Sequence, residues 1–127
     1  MAKILLVDDD QMISKMMKLR LNIRKHEVDC AFDGQEAYDL AIHRYYDIIL
    51  LDMHMPKMGG CETAAKLRKN HYKGLIIAVT ASVLEQDTQA AIDAGCDGFI
   101  AKPLNQDFEE QVESMISMKP IREQDNG

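Results

Sequence analysis

The sequence predicts an α/β domain built on a doubly wound parallel sheet, and three observations carry that prediction. Five short runs rich in Ile, Leu and Val recur along the 127 residues. After each run comes a segment whose apolar residues recur at helical spacing, i, i+3 or i+4. Turn-forming residues fall between the two kinds of segment. Three of the runs are apolar almost throughout, which is the pattern of strands covered on both faces. Strict alternation of strand and helix makes successive strands parallel, with right-handed crossovers and helices on both faces of the sheet.

The elements follow in order. The first strand is "KILLV", Lys3 to Val7, and the helix after it carries Met12, Met16, Leu19 and Ile23 as a stripe expected to pack on the sheet. The methionines there read as core filler. "EVDCAF", Glu27 to Phe32, alternates at period two, and Ala37, Leu40 and Ala41 mark its helix. "DIILL", Asp47 to Leu51, precedes a helix marked by Cys61, Ala64 and Leu67. "LIIAV", Leu75 to Val79, precedes one marked by Leu84, Thr88 and Ala91. "GFIA", Gly98 to Ala101, leads to the last helix, with Phe108, Val112, Met115 and Ile116 inward and Asn105 as its expected N-cap. Asp33-Gly34, Gly59-Gly60, Gly74, Gly95 and Pro103 punctuate the series. Tyr45, Tyr46 and Phe32 read as packing residues, and His26, His43 and His71 as solvated ones. The pattern stops after Met118, so residues 1–118 are expected to form one domain and 119–127 a polar tail.

Composition excludes several classes. Lys and Arg number 15 against 21 Asp and Glu, a net charge of −6, which argues against binding nucleic acid by phosphate neutralisation. No apolar run approaches the length of a bilayer span. The first strand-like run begins at Lys3, leaving no room for a signal peptide. Cys30, Cys61 and Cys96 are odd in number, far apart and without a CxxC spacing, so reduced thiols in a cytoplasmic protein are expected.

Polar residues gather where the apolar runs end. Asp8, Asp9 and Asp10 follow the first run, Asp52 the third, Thr80 the fourth and Lys102 the fifth. In open α/β sheets, ligands sit beyond the carboxyl ends of the strands. Charges about 4 Å apart repel by roughly 1 kcal/mol in water and about 4 at an effective dielectric near 20, so converging carboxylates need a cation. All-oxygen ligands of this kind suit Mg²⁺, which is commonly shared with a phosphate. A carboxylate nucleophile, a divalent metal, a lysine and a hydroxyl are the parts of a phosphoryl-transfer site. Asp10 reads as a helix cap that complements the dipole.

Four stretches, "ILLVDDD", "DIILLDMHMPKMGG", "AVTAS" and "DAGCDGFIAKPL", occur in this order across nearly the whole chain. Together they resemble the response-regulator receiver domains of two-component systems. The resemblance implies a flavodoxin-like (βα)5 domain with strand order 2-1-3-4-5. It implies Asp52 as phosphoacceptor, Asp9 as a direct Mg²⁺ ligand, Asp8 as one acting mainly through water, and the His54 backbone carbonyl as another. It further implies Thr80 and Lys102 as phosphate-binding residues, and Phe99 with Thr80 as the switch. Lys102-Pro103 is similar to the family's cis peptide. Phe99 stands where the family often has tyrosine, and without a hydroxyl its inward burial is expected. The implied partners are a histidine kinase or histidine phosphotransfer protein upstream. A downstream effector or attached output domain would read the face formed by the fourth helix, fifth strand and fifth helix. No turnover of an external substrate is implied beyond phosphorylation and dephosphorylation at Asp52.

Two rival readings exist. Asp8-x-Asp10 after an apolar strand resembles the first motif of haloacid-dehalogenase-type phosphatases, with Asp8 as nucleophile. The threonine expected two residues past Asp10 is Met12, and the chain is short for that fold. A degenerate receiver acting only as a docking module is the other, and the intact set Asp9, Asp52, Thr80 and Lys102 counts against it.

Overall fold

The computed structural model describes residues 1–55 and 58–118 of the chain. The tail expected over 119–127 lies outside the described residues. Five strands alternate with five helices: β1 (Lys3–Val7), α1 (Gln11–Ile23), β2 (Glu27–Ala31), α2 (Gly34–His43), β3 (Ile48–Asp52), α3 (Gly60–Lys69), β4 (Ile76–Thr80), α4 (Glu85–Ala94), β5 (Gly98–Ala101) and α5 (Phe108–Ile116). All pairings are parallel and the order is β2-β1-β3-β4-β5, as the resemblance implies. None of the described helices is long and apolar enough to cross a membrane.

Alternation along the strands divides the core in two. Leu5, Val7, Ile49, Leu51, Ile76 and Ala78 face α2, α3 and α4, meeting Ala37, Ala64, Leu67 and Ala91. Ile4, Leu6, Ile48, Leu50, Ile77 and Val79 face α1 and α5, meeting Met17, Leu21, Phe108 and Val112. The central strands β1, β3 and β4 are therefore apolar on both faces.

Several expectations need correction. α1 does not bury the stripe Met12, Met16, Leu19 and Ile23. Met12 is 83% exposed, Leu19 62% and Ile23 71%. The buried face carries Ser14, Met17 and Leu21, about one residue round the helix. The sequence offers two overlapping apolar stripes, and the one containing a serine is the one inside. In α4 only Ala91 is buried, while Leu84 precedes the helix as an exposed N-cap residue. The α5 cap is Asp107, not Asn105. The Asn105 side chain instead accepts the Asp107 N–H at 3.1 Å, closing the turn before the helix. His26 is buried, its Nδ1 accepting the Ala2 N–H at 3.0 Å and its Nε2 lying 2.8 Å from Glu113. Of the aromatic residues expected to pack, Tyr46 is buried, whereas Tyr45 and Phe32 are exposed.

The strand boundaries also shift, and one shift matters. β3 and β4 each run one residue further than their apolar letters, so Asp52 and Thr80 are the last residues of the sheet itself. Backbone pairing, not hydropathy, ends a strand.

Candidate functional site

Register builds the site. Val7 is paired with Leu51, so the next residues, Asp8 and Asp52, lie side by side where β1 and β3 end. Thr80 is paired with Ala101, which sets Lys102 one residue beyond, its N–H bonded to the Thr80 carbonyl at 2.7 Å. The Lys102–Pro103 peptide is cis.

Asp8 is 1% exposed and Asp52 4%, whereas Asp9 is open to solvent. The Lys102 ammonium lies 3.2 Å from Asp8 Oδ2 and 3.4 Å from Asp52 Oδ1, bridging the two buried carboxylates. Backbone amides add to this, on the opposite oxygen of Asp8 and on the same oxygen of Asp52. The Asp10 N–H donates to Asp8 Oδ1 at 2.9 Å, and the His54 N–H donates to Asp52 Oδ1 at 3.2 Å. Burial pushes the Asp52 carboxyl above the usual carboxylate range, and the charge on Asp8 adds to this. The His54 amide and the Lys102 ammonium offset part of the rise. Burial draws Lys102 down, but Asp52 and Asp8 outweigh it and hold its pKa above the ordinary value.

Asp8, Asp9 and Asp52 each offer a carboxylate oxygen, and these oxygens lie within 4.8 Å of one another. This all-oxygen, three-carboxylate set fits a hard divalent cation such as Mg²⁺. Asp10 is occupied elsewhere. Its side chain accepts the Met12 and Ile13 N–H groups and caps α1. That removes the second aspartate of the phosphatase-like motif from the rim.

Thr80 reaches the rim, but its hydroxyl is turned to Ser82. It donates to the Ser82 carbonyl and accepts the Ser82 N–H, each at 3.1 Å. The His54 side chain is exposed. Phe99 departs from the expected inward burial and is 40% exposed. It lies on the edge strand β5, and α4 contributes only Ala91 to the core.

Two supporting residues escape a reading of the sequence. Ser14, buried on α1, donates to the Asp8 carbonyl at 3.3 Å and steadies the end of β1. Gly60 opens α3 against the end of β3, where a Cβ would come within 2.5 Å of the Asp52 carbonyl oxygen. In the sequence Gly60 looks like punctuation, and only the close approach shows that a side chain is excluded.

Comparison with known proteins agrees with this geometry. Residues 4–113 match the family model described as the response regulator receiver domain. The response regulator ArlR of Staphylococcus aureus is 33% identical over 126 residues, covering 97% of this chain and 56% of ArlR. The chain thus spans about half the length of the curated relatives it matches. The chemotaxis protein CheY4 of Vibrio cholerae superposes with a TM-score of 0.84 at 30% identity, covering 91% of this chain and 98% of CheY4. TrrA of Thermotoga maritima, solved in complex with Mg²⁺ and BeF, gives 0.80 at 31% identity, covering 91% of this chain and 99% of TrrA. With the strand order, the paired acids at the ends of β1 and β3 and the lysine after β5 all in place, the chain belongs to the response regulator receiver domain family.

Proposed function

We propose that this domain accepts a phosphoryl group on Asp52 from a histidine kinase or a histidine-containing phosphotransfer protein. The observation that carries the reading is a buried Asp52 carboxylate flanked by Asp8, Asp9 and the Lys102 ammonium. Asp52 Oδ1 accepts the His54 N–H and faces Lys102, which supports Oδ2 as the oxygen that attacks phosphorus. The phosphorus–nitrogen bond of the donor phosphohistidine breaks, the imidazole leaves, and an acyl phosphate forms on Asp52. Asp8, Asp9, Asp52 and the His54 carbonyl would hold Mg²⁺, which supplies positive charge for the phosphoryl oxygens. Lys102 shifts from the carboxylates to the incoming oxygens as a mobile point charge. The buried rim strengthens each of these attractions relative to water.

Thr80 and Phe99 carry the response in this reading. A phosphoryl group on Asp52 competes with Ser82 for the Thr80 hydroxyl. As Thr80 turns, Phe99 moves inward, and the face of α4, β5 and α5 changes for an effector or an attached output domain. The population of the inward state, not a new contact alone, sets the output.

The test is phosphorylation by acetyl phosphate with Mg²⁺, read by mass spectrometry and acid-stable, base-labile label. Wild type gains one phosphoryl group, and Asp52→Asn gains none. Label persisting at full yield in Asp52→Asn overturns the assignment, and label on Asp8 instead would restore the phosphatase reading.

A further inference from the structure

Lys102 has a long stem, so something must hold its head over the two carboxylates. Its loop, from Lys102 to Asp107, is fixed at the near end by the Lys102 N–H on the Thr80 carbonyl. The far end is fixed from another element. Arg20, on α1, donates from Nη2 to the Asn105 carbonyl at 2.6 Å. The same guanidinium makes a forked pair with Glu109 on α5, Nη2 to Oε1 at 2.6 Å and Nε to Oε2 at 2.9 Å. Its plane also lies over the Phe108 ring, 5.3 Å from the centroid. The pair is mostly shielded, with side-chain exposures of 24% for Arg20 and 16% for Glu109. A planar fork of this kind fixes direction as well as distance, which a lysine cannot do.

We infer that Arg20 is a positioning residue for Lys102: by clamping the Asn105 carbonyl and Glu109 it holds the β5–α5 loop so that the ammonium rests between Asp8 and Asp52. The inference rests on the phosphoacceptor reading for its consequence, though not for its geometry. One guanidinium joins α1, the Lys102 loop and α5. A partner that moves α5 therefore also moves the lysine at the phosphorylation site.

The clamp has a signature that general damage would not produce. The Lys102 ammonium sits on two of the three carboxylates that would take the cation, and it competes with Mg²⁺ for them. It also anchors the phosphoryl oxygens of a donor. Loosening the lysine should thus strengthen Mg²⁺ binding and weaken donor binding together. For Arg20→Met we expect the Mg²⁺ dissociation constant, by titration calorimetry with MgCl₂, to fall roughly two- to five-fold. The acetyl phosphate concentration for half-maximal phosphorylation should rise by a similar factor. Lys102→Met, as the reference, should shift both constants in the same directions and further. Arg20→Lys keeps the charge beside Glu109 without the fork, and should show smaller shifts of the same signs. It carries the test if circular dichroism shows Arg20→Met unfolded. Wild-type constants in the folded Arg20 variants, with Lys102→Met shifted, overturn the clamp, as does a change of both affinities in the same sense. Failure of wild type to label on Asp52 overturns the phosphoacceptor reading instead, and the Mg²⁺ titration still decides the clamp.

Discussion

Asp52 sits where burial and neighbouring charge work against its own ionisation. Its pKa is raised by desolvation and by Asp8, and only partly restored by the His54 amide and Lys102. The stability consequence has a definite sign. A carboxyl raised in the folded state costs stability at every pH above its folded pKa, and the cost disappears as pH falls toward the unfolded value. In metal-free protein Asp52→Asn should therefore be more stable than wild type near neutral pH and unfold at a higher temperature, by roughly 1.4 kcal/mol for each pK unit by which the carboxyl is raised. The gain should shrink as pH falls through the ordinary carboxylate range. Thermal melts of both proteins in EDTA from pH 7.5 to 4 measure it, and a melting point below wild type at pH 7.5 would contradict this balance. The acids and the lysine of this site were legible in the sequence because each ends an apolar run, and an apolar run with a charged end is a strand reaching a rim. The supports were not. Ser14 reads as an ordinary helix serine, and the Thr80 hydroxyl's engagement with Ser82 depends on a turn whose geometry no letter specifies.

At the scale of the element, α1 shows the limit of periodicity. Met12, Met16, Leu19 and Ile23 fit the helical period, yet the sheet takes the adjacent stripe of Ser14, Met17 and Leu21. Period identifies a helix, but two stripes with the same period differ only in what they face. The fork of Arg20 toward α5 and the Ser14 bond to Asp8 are compatible with one rotation only, and both are tertiary facts. Paired substitutions test the rotation. Met17→Ala should cost about 2–5 kcal/mol by leaving a cavity between α1 and the sheet it packs on. Leu19→Ser should change stability by no more than about 0.5 kcal/mol, as at other exposed positions. Urea denaturation reads both, and equal costs would place the stripe inward after all. β1 and β5 were legible to the residue because each strand ends with its apolar letters, at Val7 and Ala101. β3 and β4 were each displaced by one, because the ladder continues through Asp52 and Thr80 despite their polarity.

For the whole molecule, alternation of strand and helix was enough to require a parallel doubly wound sheet. It could not order the strands. That order came with the resemblance, and it is what makes Asp8 and Asp52 neighbours. The sequence also gave no sign of the seam that closes the α1 and α5 side. There Arg20 meets Glu109, Arg24 meets Glu113, and His26 joins Ala2 to Glu113, each linking parts of the chain more than twenty residues apart. Because Nδ1 of His26 accepts a backbone N–H, its Nε2 carries the proton and donates to Glu113. Pairings between acids and bases this distant have no local pattern, so the buried histidine passes for a solvated one. The seam makes stability depend on pH with a sign opposite to that of Asp52. The hydrogen bonds from Arg20 hold Glu109 below its usual value of 4.5. A carboxyl lowered in the folded state stabilises fully above the unfolded pKa, and that contribution is lost as pH falls through the folded one. Glu109→Gln should accordingly melt below wild type at pH 7, by no more than about 1 kcal/mol because solvent still screens part of the pair. The gap should narrow below pH 4.5 and close on further acidification, as wild-type Glu109 takes up its proton. A gap that stays constant from pH 7 to pH 3 would assign the seam to packing, such as that of the Arg20 guanidinium over Phe108, rather than to the charge of Glu109, since packing does not titrate.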